Sequence, residues 1–148
     1  MKYLYSILIF SGLFVFAACS SGDAQKTADA DQKVPEKPAI QNLNVTEAAQ
    51  LIDRRPNMIL IDVRTPDEYN GPLGHIENAR LLPIQQFQNW VPELEGDKDA
   101  QIMLICRSGG RSSRTATMLR ERGFTNLINV KDGMSAWSAA GLPIAAPE

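Results

Sequence analysis

Cys106 follows an apolar run, Ile102, Met103, Leu104 and Ile105, and is itself followed by Arg107, Ser108, Gly109, Gly110, Arg111 and Ser112. A thiol at the end of a buried strand, ahead of small residues and a helix-like segment, is placed to become a thiolate, the reactive form of cysteine. Backbone N–H groups of a loop curling onto a helix N-terminus, together with the positive end of the helix dipole, favour the charged sulfur. Ser108, Gly109 and Gly110 suit that curl, because small or absent side chains let the backbone turn through positive φ and bring its N–H groups to one point. Arg107 and Arg111 add positive charge. An arginine in the first turn of a helix is unfavourable against the dipole, which argues for an anion beside Arg111. Such a cradle is compatible with phosphate, sulfur or peroxide chemistry.

The elements that must position this loop follow from the hydrophobic pattern. Thr46 can cap a helix from Glu47 to Arg55, closed by Pro56 and Asn57, and Met58 to Ile61 is an apolar run of buried-strand length. A turn-rich stretch then reaches Asn78, followed by a short strand over Arg80 to Pro83 and a helix over Ile84 to Val91. Gln101 to Ile105 is a second buried strand, and a helix from about Ser112 to Arg122 ends at Gly123. Leu127 to Val130 is a strand, and a last helix from Met134 to Ala139 stops at Gly141 and Pro143. Alternating buried strands and helices imply an α/β domain with a mainly parallel sheet covered on both faces.

Three separated stretches resemble the rhodanese family of single-domain sulfurtransferases. The first is Asp62, Val63, Arg64, Thr65, Pro66, Asp67, Glu68 and Tyr69, followed by Gly74, His75, Ile76, Ala79 and Pro83. The second is the Cys106 loop, and the third is Asp132, Gly133, Met134 and Trp137, similar to the family's Gly-rich turn before a terminal helix. Asn70, Gly71, Pro72 and Leu73 make the first stretch slightly longer than the commonest family form, which concerns the shape of that surface loop. The resemblance implies a five-stranded, mainly parallel sheet with helices on both faces. Four residues separate Cys106 from Arg111, as in the sulfurtransferases, whereas related phosphatases separate the same pair by five and make a wider cradle.

The activity implied is a double displacement in which Cys106 takes a sulfane sulfur from a donor such as thiosulfate and passes it, as a persulfide, to cyanide or a thiol. Arg107, Ser108, Gly109, Gly110, Arg111 and Ser112 would form the substrate cradle, with Arg107 and Arg111 holding the anionic donor. No cofactor and no metal are required. A sulfur-carrier role toward a partner protein, a docking module and redox sensing by the thiol are the other readings open to such a domain.

Asp62, Arg64 and Glu68 invite an acid–base reading, but in the family that stretch is mostly an ion-paired brace beside the active-site loop. His75 lies in a turn motif far along the chain from Cys106, and a thiolate already deprotonated by its cradle needs no base. Arg114, Arg120 and Arg122 fit a solvated helix face. Trp137 with Leu142 fits packing of the last helix.

The 148 residues, 44% hydrophobic and 22% charged, suit one domain with accessory segments. Tyr3 to Ala18 is an apolar run behind a single Lys2, too short for the roughly 20 residues of a spanning helix, and reads as a secretory signal. Phe16, Ala17, Ala18 and Cys19 resemble the lipobox of bacterial lipoproteins, with Phe16 where leucine is usual. The expected organisation is therefore a signal peptide over residues 1–18, a lipidated tether over 19–42 and a domain over 43–148. Cys19 would be a membrane anchor and Cys106 the remaining thiol, on the periplasmic side of an outer membrane more readily than an inner one. The tether, rich in Ala, Asp, Gln, Lys and Pro, has too few apolar residues to fold by itself. A formal net charge of −2, one unit more negative without Lys2, gives no reason to expect nucleic acid as a partner.

Overall fold

The computed structural model describes residues 39–145. The expected signal peptide, Cys19 and nearly all of the expected tether lie outside the described residues. Five parallel strands form one sheet in the order β1-β5-β4-β2-β3. They are β1 (Gln41–Leu43), β2 (Ile59–Asp62), β3 (Arg80–Leu81), β4 (Gln101–Ile105) and β5 (Asn126–Val130). The helices are α1 (Val45–Arg54), α2 (Pro66–Tyr69), α3 (Phe87–Trp90), α4 (Gly110–Glu121) and α5 (Gly133–Ala139), with 3-10 turns over Ile84–Gln86 and Val91–Asp97.

The three central strands read as near-continuous apolar runs because both of their faces are covered. Their period of two divides the core. Ile61, Ile102, Leu104 and Leu127 pack with Phe87, Trp90, Ala116 and Leu119 on one face. Leu60, Met103, Ile105, Ile128 and Val130 pack with Val45, Ala48, Met134 and Trp137 on the other. Each of the larger aliphatic and aromatic side chains contributes about 1.5–3 kcal/mol by leaving water. The same alternation sets Cys106 on the side of Ile102 and Leu104, the side covered by α4.

Several boundaries differ from the expectation. α1 begins at Val45, not Glu47, because Asn44 caps it in place of Thr46. The Asn44 side chain takes the Glu47 N–H and the Glu47 carboxylate takes the Asn44 N–H, each at 2.9 Å. The turn-rich stretch contains α2, opened by a second capping box between Thr65 and Glu68 with Pro66 in the first turn. β3 covers only Arg80–Leu81, although the N–H groups of Leu82 and Ile84 still donate to the carbonyls of Asp62 and Val63 at 2.9 and 3.2 Å. Ile84 to Val91 is broken into 3-10 and α pieces, and Pro92, which cannot donate back to Gln88, opens the second 3-10 turn. α4 starts at Gly110, two residues earlier than expected. The chain joins the sheet at Gln41, inside the segment expected to be tether, through parallel pairing of β1 with β5.

Candidate active site

Cys106 leaves the end of β4, and its chain turns at once into α4. Gly109 caps that helix with φ +88°, where a Cβ would run into the Lys131 carbonyl. No other residue fits there. The turn folds back over the thiol, so that the Gly109 N–H donates to Cys106 Sγ at 3.1 Å and Ser112 Oγ stands 3.4 Å away. Cys106 is buried, at 1% exposure. Burial pushes its pKa up, but the Ser112 hydroxyl and the N–H groups of Ser112, Ser108 and Gly109 outweigh that, and the net shift is downward.

A second layer holds the loop by its carbonyls. The Met134 N–H donates to Cys106 O at 2.8 Å and the Ser135 N–H to Arg107 O at 3.0 Å. Gly133, with φ +61°, lies so close under Cys106 and Arg107 that a Cβ would meet both backbones. The turn before α5 is therefore the floor of the loop, which accounts for the third sequence motif.

Ser112 also ties the thiol to β5. Its hydroxyl lies 2.7 Å from Asn129 Oδ1 and 3.0 Å from Gly109 O, and Asn129 Nδ2 donates to Asn42 Oδ1 at 2.8 Å. Asn129 was not among the residues singled out from the sequence. A polar residue inside the apolar run of a buried strand was the available signal, since such a group needs a partner.

Arg111 is engaged by Glu68 through two hydrogen bonds of 2.6 Å. The anion expected beside a first-turn arginine is thus supplied by the chain. Arg111 lowers the Glu68 pKa to about 2, with help from Thr65 and against burial, and its own is raised by Glu68. Arg64 and Asp62 form a buried pair, with Arg64 also donating to the carbonyls of Glu68 and Gly74. Glu68 accordingly braces the start of α4 through Arg111, and the Asp62–Arg64 pair holds the segment that carries Glu68. The Arg107 side chain is exposed and has no hydrogen-bond or ion-pair partner among the described residues. Ser108 and Gly110 are exposed at the loop's rim.

His75 is buried, stacked on Tyr69 with ring centroids 3.7 Å apart. Its Nδ1 lies 3.3 Å from the Tyr69 carbonyl, so its contacts belong to that turn. Trp137 is buried and donates to the Pro143 carbonyl. Arg122 reaches Gln88 and lies over the Phe87 ring.

A parallel α/β sheet here delivers a thiol into a nest of backbone N–H groups, an arrangement that favours the thiolate. Residues 44–140 match the Rhodanese-like domain, and the chain belongs to that family. It is 31% identical over 109 residues to a protein named "Sulfurtransferase" of Allochromatium vinosum, a match spanning 74% of this chain and 98% of that protein. It is 28% identical over 102 residues to the thiosulfate sulfurtransferase GlpE of Pseudoalteromonas translucida, covering 69% of this chain and 92% of the relative. The crystal structure of a rhodanese-like domain protein from Staphylococcus aureus superposes with a TM-score of 0.61 at 26% identity, over 72% of this chain and all of that one.

Proposed function

We propose that the protein is a sulfurtransferase that carries a sulfane sulfur from thiosulfate or a similar donor to a thiophilic acceptor through a persulfide on Cys106. The observation that carries this reading is the convergence of N–H groups and the Ser112 hydroxyl on Cys106 Sγ, with the thiol pKa below its ordinary value. The thiolate attacks the outer sulfur of thiosulfate, the S–S bond of the donor breaks, and sulfite leaves with the bonding pair. The same N–H groups then face the persulfide anion. In the second half-reaction cyanide or a thiol takes the outer sulfur and the Cys106 thiolate returns. Donor binding falls first to Arg107, whose guanidinium is uncommitted. Arg111 positions the loop through Glu68. Incubation with thiosulfate should add the mass of one sulfur atom to the protein, and Cys106→Ser should remove both that gain and cyanide-dependent turnover. An unchanged mass after incubation overturns the reading, and a stable persulfide without turnover favours a carrier.

The N-terminus supports a further part of this proposal: export behind residues 1–18 and lipid attachment at Cys19 on the cell envelope. The support is the apolar run and the Phe16–Cys19 tetrad. Metabolic labelling with a fatty acid, lost in Cys19→Ser, is expected; an unlabelled, freely soluble protein overturns it.

A further inference from the structure

Beside the Cys106 loop lies a cleft of about 370 Å³ lined by Arg64, Asp67, Glu68, Gly71, Pro72, Leu73, Arg107 and Ser135. That volume lies in the range of about 300–1,000 Å³ usual for small organic ligands. A five-atom anion such as thiosulfate needs only a fraction of it. Arg107 directly follows Cys106 and its carbonyl takes the Ser135 N–H, so the cleft and the loop share a wall.

The charges in this cleft are largely spent. Arg64 is committed to Asp62 and to the carbonyls of Glu68 and Gly74. Glu68 is committed to Arg111. That leaves one cation, Arg107, and one anion, Asp67, both exposed and with no side-chain hydrogen-bond or ion-pair partner among the described residues. Pro72 and Leu73 add an apolar wall to the lining. Leu73 packs on the core beneath it, and the loop is held by the Gly74 N–H to Gly71 O bond of 2.9 Å. Gly71 itself sits so close to α2 that a Cβ would be 2.7 Å from the Asp67 carbonyl. This wall is the segment in which the chain is longer than the commonest family form.

We propose that the cleft receives the sulfur acceptor, and that the acceptor is a small organic thiol bearing both a carboxylate, for Arg107, and an ammonium, for Asp67. The inference rests on the persulfide reading above and names the acceptor for its second half-reaction. The acceptor thiol gives its proton to the outer sulfur of the Cys106 persulfide anion and its thiolate attacks that same sulfur, and the S–S bond breaks. The electron pair returns to Cys106 Sγ as thiolate, and the proton stays on the transferred sulfur in the product persulfide. Atoms and charge balance without an oxidant or reductant.

The test uses the full-length protein with thiosulfate as donor and four acceptors at matched thiolate concentration: L-cysteine, cysteamine, 3-mercaptopropionate and 2-mercaptoethanol. Cyanide serves as a separate acceptor. Cysteine is expected to give the highest kcat/KM, with each charged group contributing about threefold to fivefold, the scale of an exposed ion pair. Asp67→Asn should lower kcat/KM for cysteine and cysteamine relative to 3-mercaptopropionate, and Asp67→Lys should reverse the preference toward 3-mercaptopropionate. Cyanide turnover with no preference for cysteine over 2-mercaptoethanol, or an order of acceptors unchanged in both Asp67 variants, overturns this inference alone. Absence of cyanide turnover and of persulfide overturns the parent reading and this inference with it.

Discussion

The Ser112 hydroxyl stands 2.7 Å from Asn129 Oδ1, 3.0 Å from the Gly109 carbonyl and 3.4 Å from Cys106 Sγ, so its single proton is shared among the amide, the carbonyl and the sulfur. Asn129 thereby influences the thiolate without touching it. Asn129→Asp strengthens the competing acceptor and adds negative charge nearby, and Ser112→Ala removes the donor. Both should raise the Cys106 pKa, by about one unit or less, as neighbouring charges and lost hydrogen bonds do. The pH midpoint of Cys106 alkylation by iodoacetamide measures this directly. A midpoint that stays put in both variants would show that the backbone N–H groups act alone.

Gly109 and Gly110 are neighbours with opposite tolerance. Gly109→Ala meets the Lys131 carbonyl at positive φ, whereas a Cβ at Gly110 has no atom within 4 Å. Gly110→Ala should keep or raise the melting temperature, with a gain of about 0.4–1 kcal/mol from reduced freedom of the unfolded chain. Gly109→Ala should lose at least several times that amount or fail to fold. Paired thermal denaturation curves decide, and equal effects at the two positions would contradict the geometry.

Acid sensitivity should be traceable to Glu68. Its pKa falls from the usual 4.5 to about 2 when it meets Arg111, so the folded state binds its proton less readily than the unfolded chain does. The stabilisation from this group is therefore fully present above about pH 5 and is lost as the pH falls toward about 2. Glu68→Gln should cost about 1–3 kcal/mol at neutral pH, the lower figure reflecting solvent screening, and should flatten the stability profile in that window. Urea titrations across the acid range provide the measurement.

The Asp62–Arg64 pair makes a contrasting prediction, because both side chains are buried. Arg64→Leu leaves the Asp62 carboxylate without its cation and frees the carbonyls of Glu68 and Gly74, at an expected cost of about 3–5 kcal/mol. The double variant Asp62→Asn with Arg64→Leu should recover part of that loss in urea denaturation. A single variant costing less than about 1 kcal/mol would mean the brace carries little load.

The central sheet was legible in the sequence because β2, β4 and β5 are continuous apolar runs, a pattern that follows from burial on both faces. The thiol loop was legible for a similar reason: a cysteine at the end of such a run, followed by Ser108, Gly109 and Gly110, has few other conformations open to it. β1 was not, since Gln41 and Asn42 carry no hydrophobic period and become a strand only because β5 offers them an open edge. α2 could have been read from Thr65, Pro66 and Glu68, a capping box with proline in its first turn.

The division of labour between the two arginines belongs to the tertiary structure alone. In the chain both Arg107 and Arg111 are candidates to hold the anionic donor, with Arg111 favoured by its place in the first turn of a helix. Folding brings Glu68, 43 positions away, against Arg111 and leaves Arg107 facing a cleft with Asp67. By itself the sequence determined that a thiol would sit over a backbone cradle in a parallel α/β domain, because local pattern and chain geometry suffice for that. Which charges remain available to a ligand was decided only on folding, since ion pairing depends on distances that sequence spacing does not set.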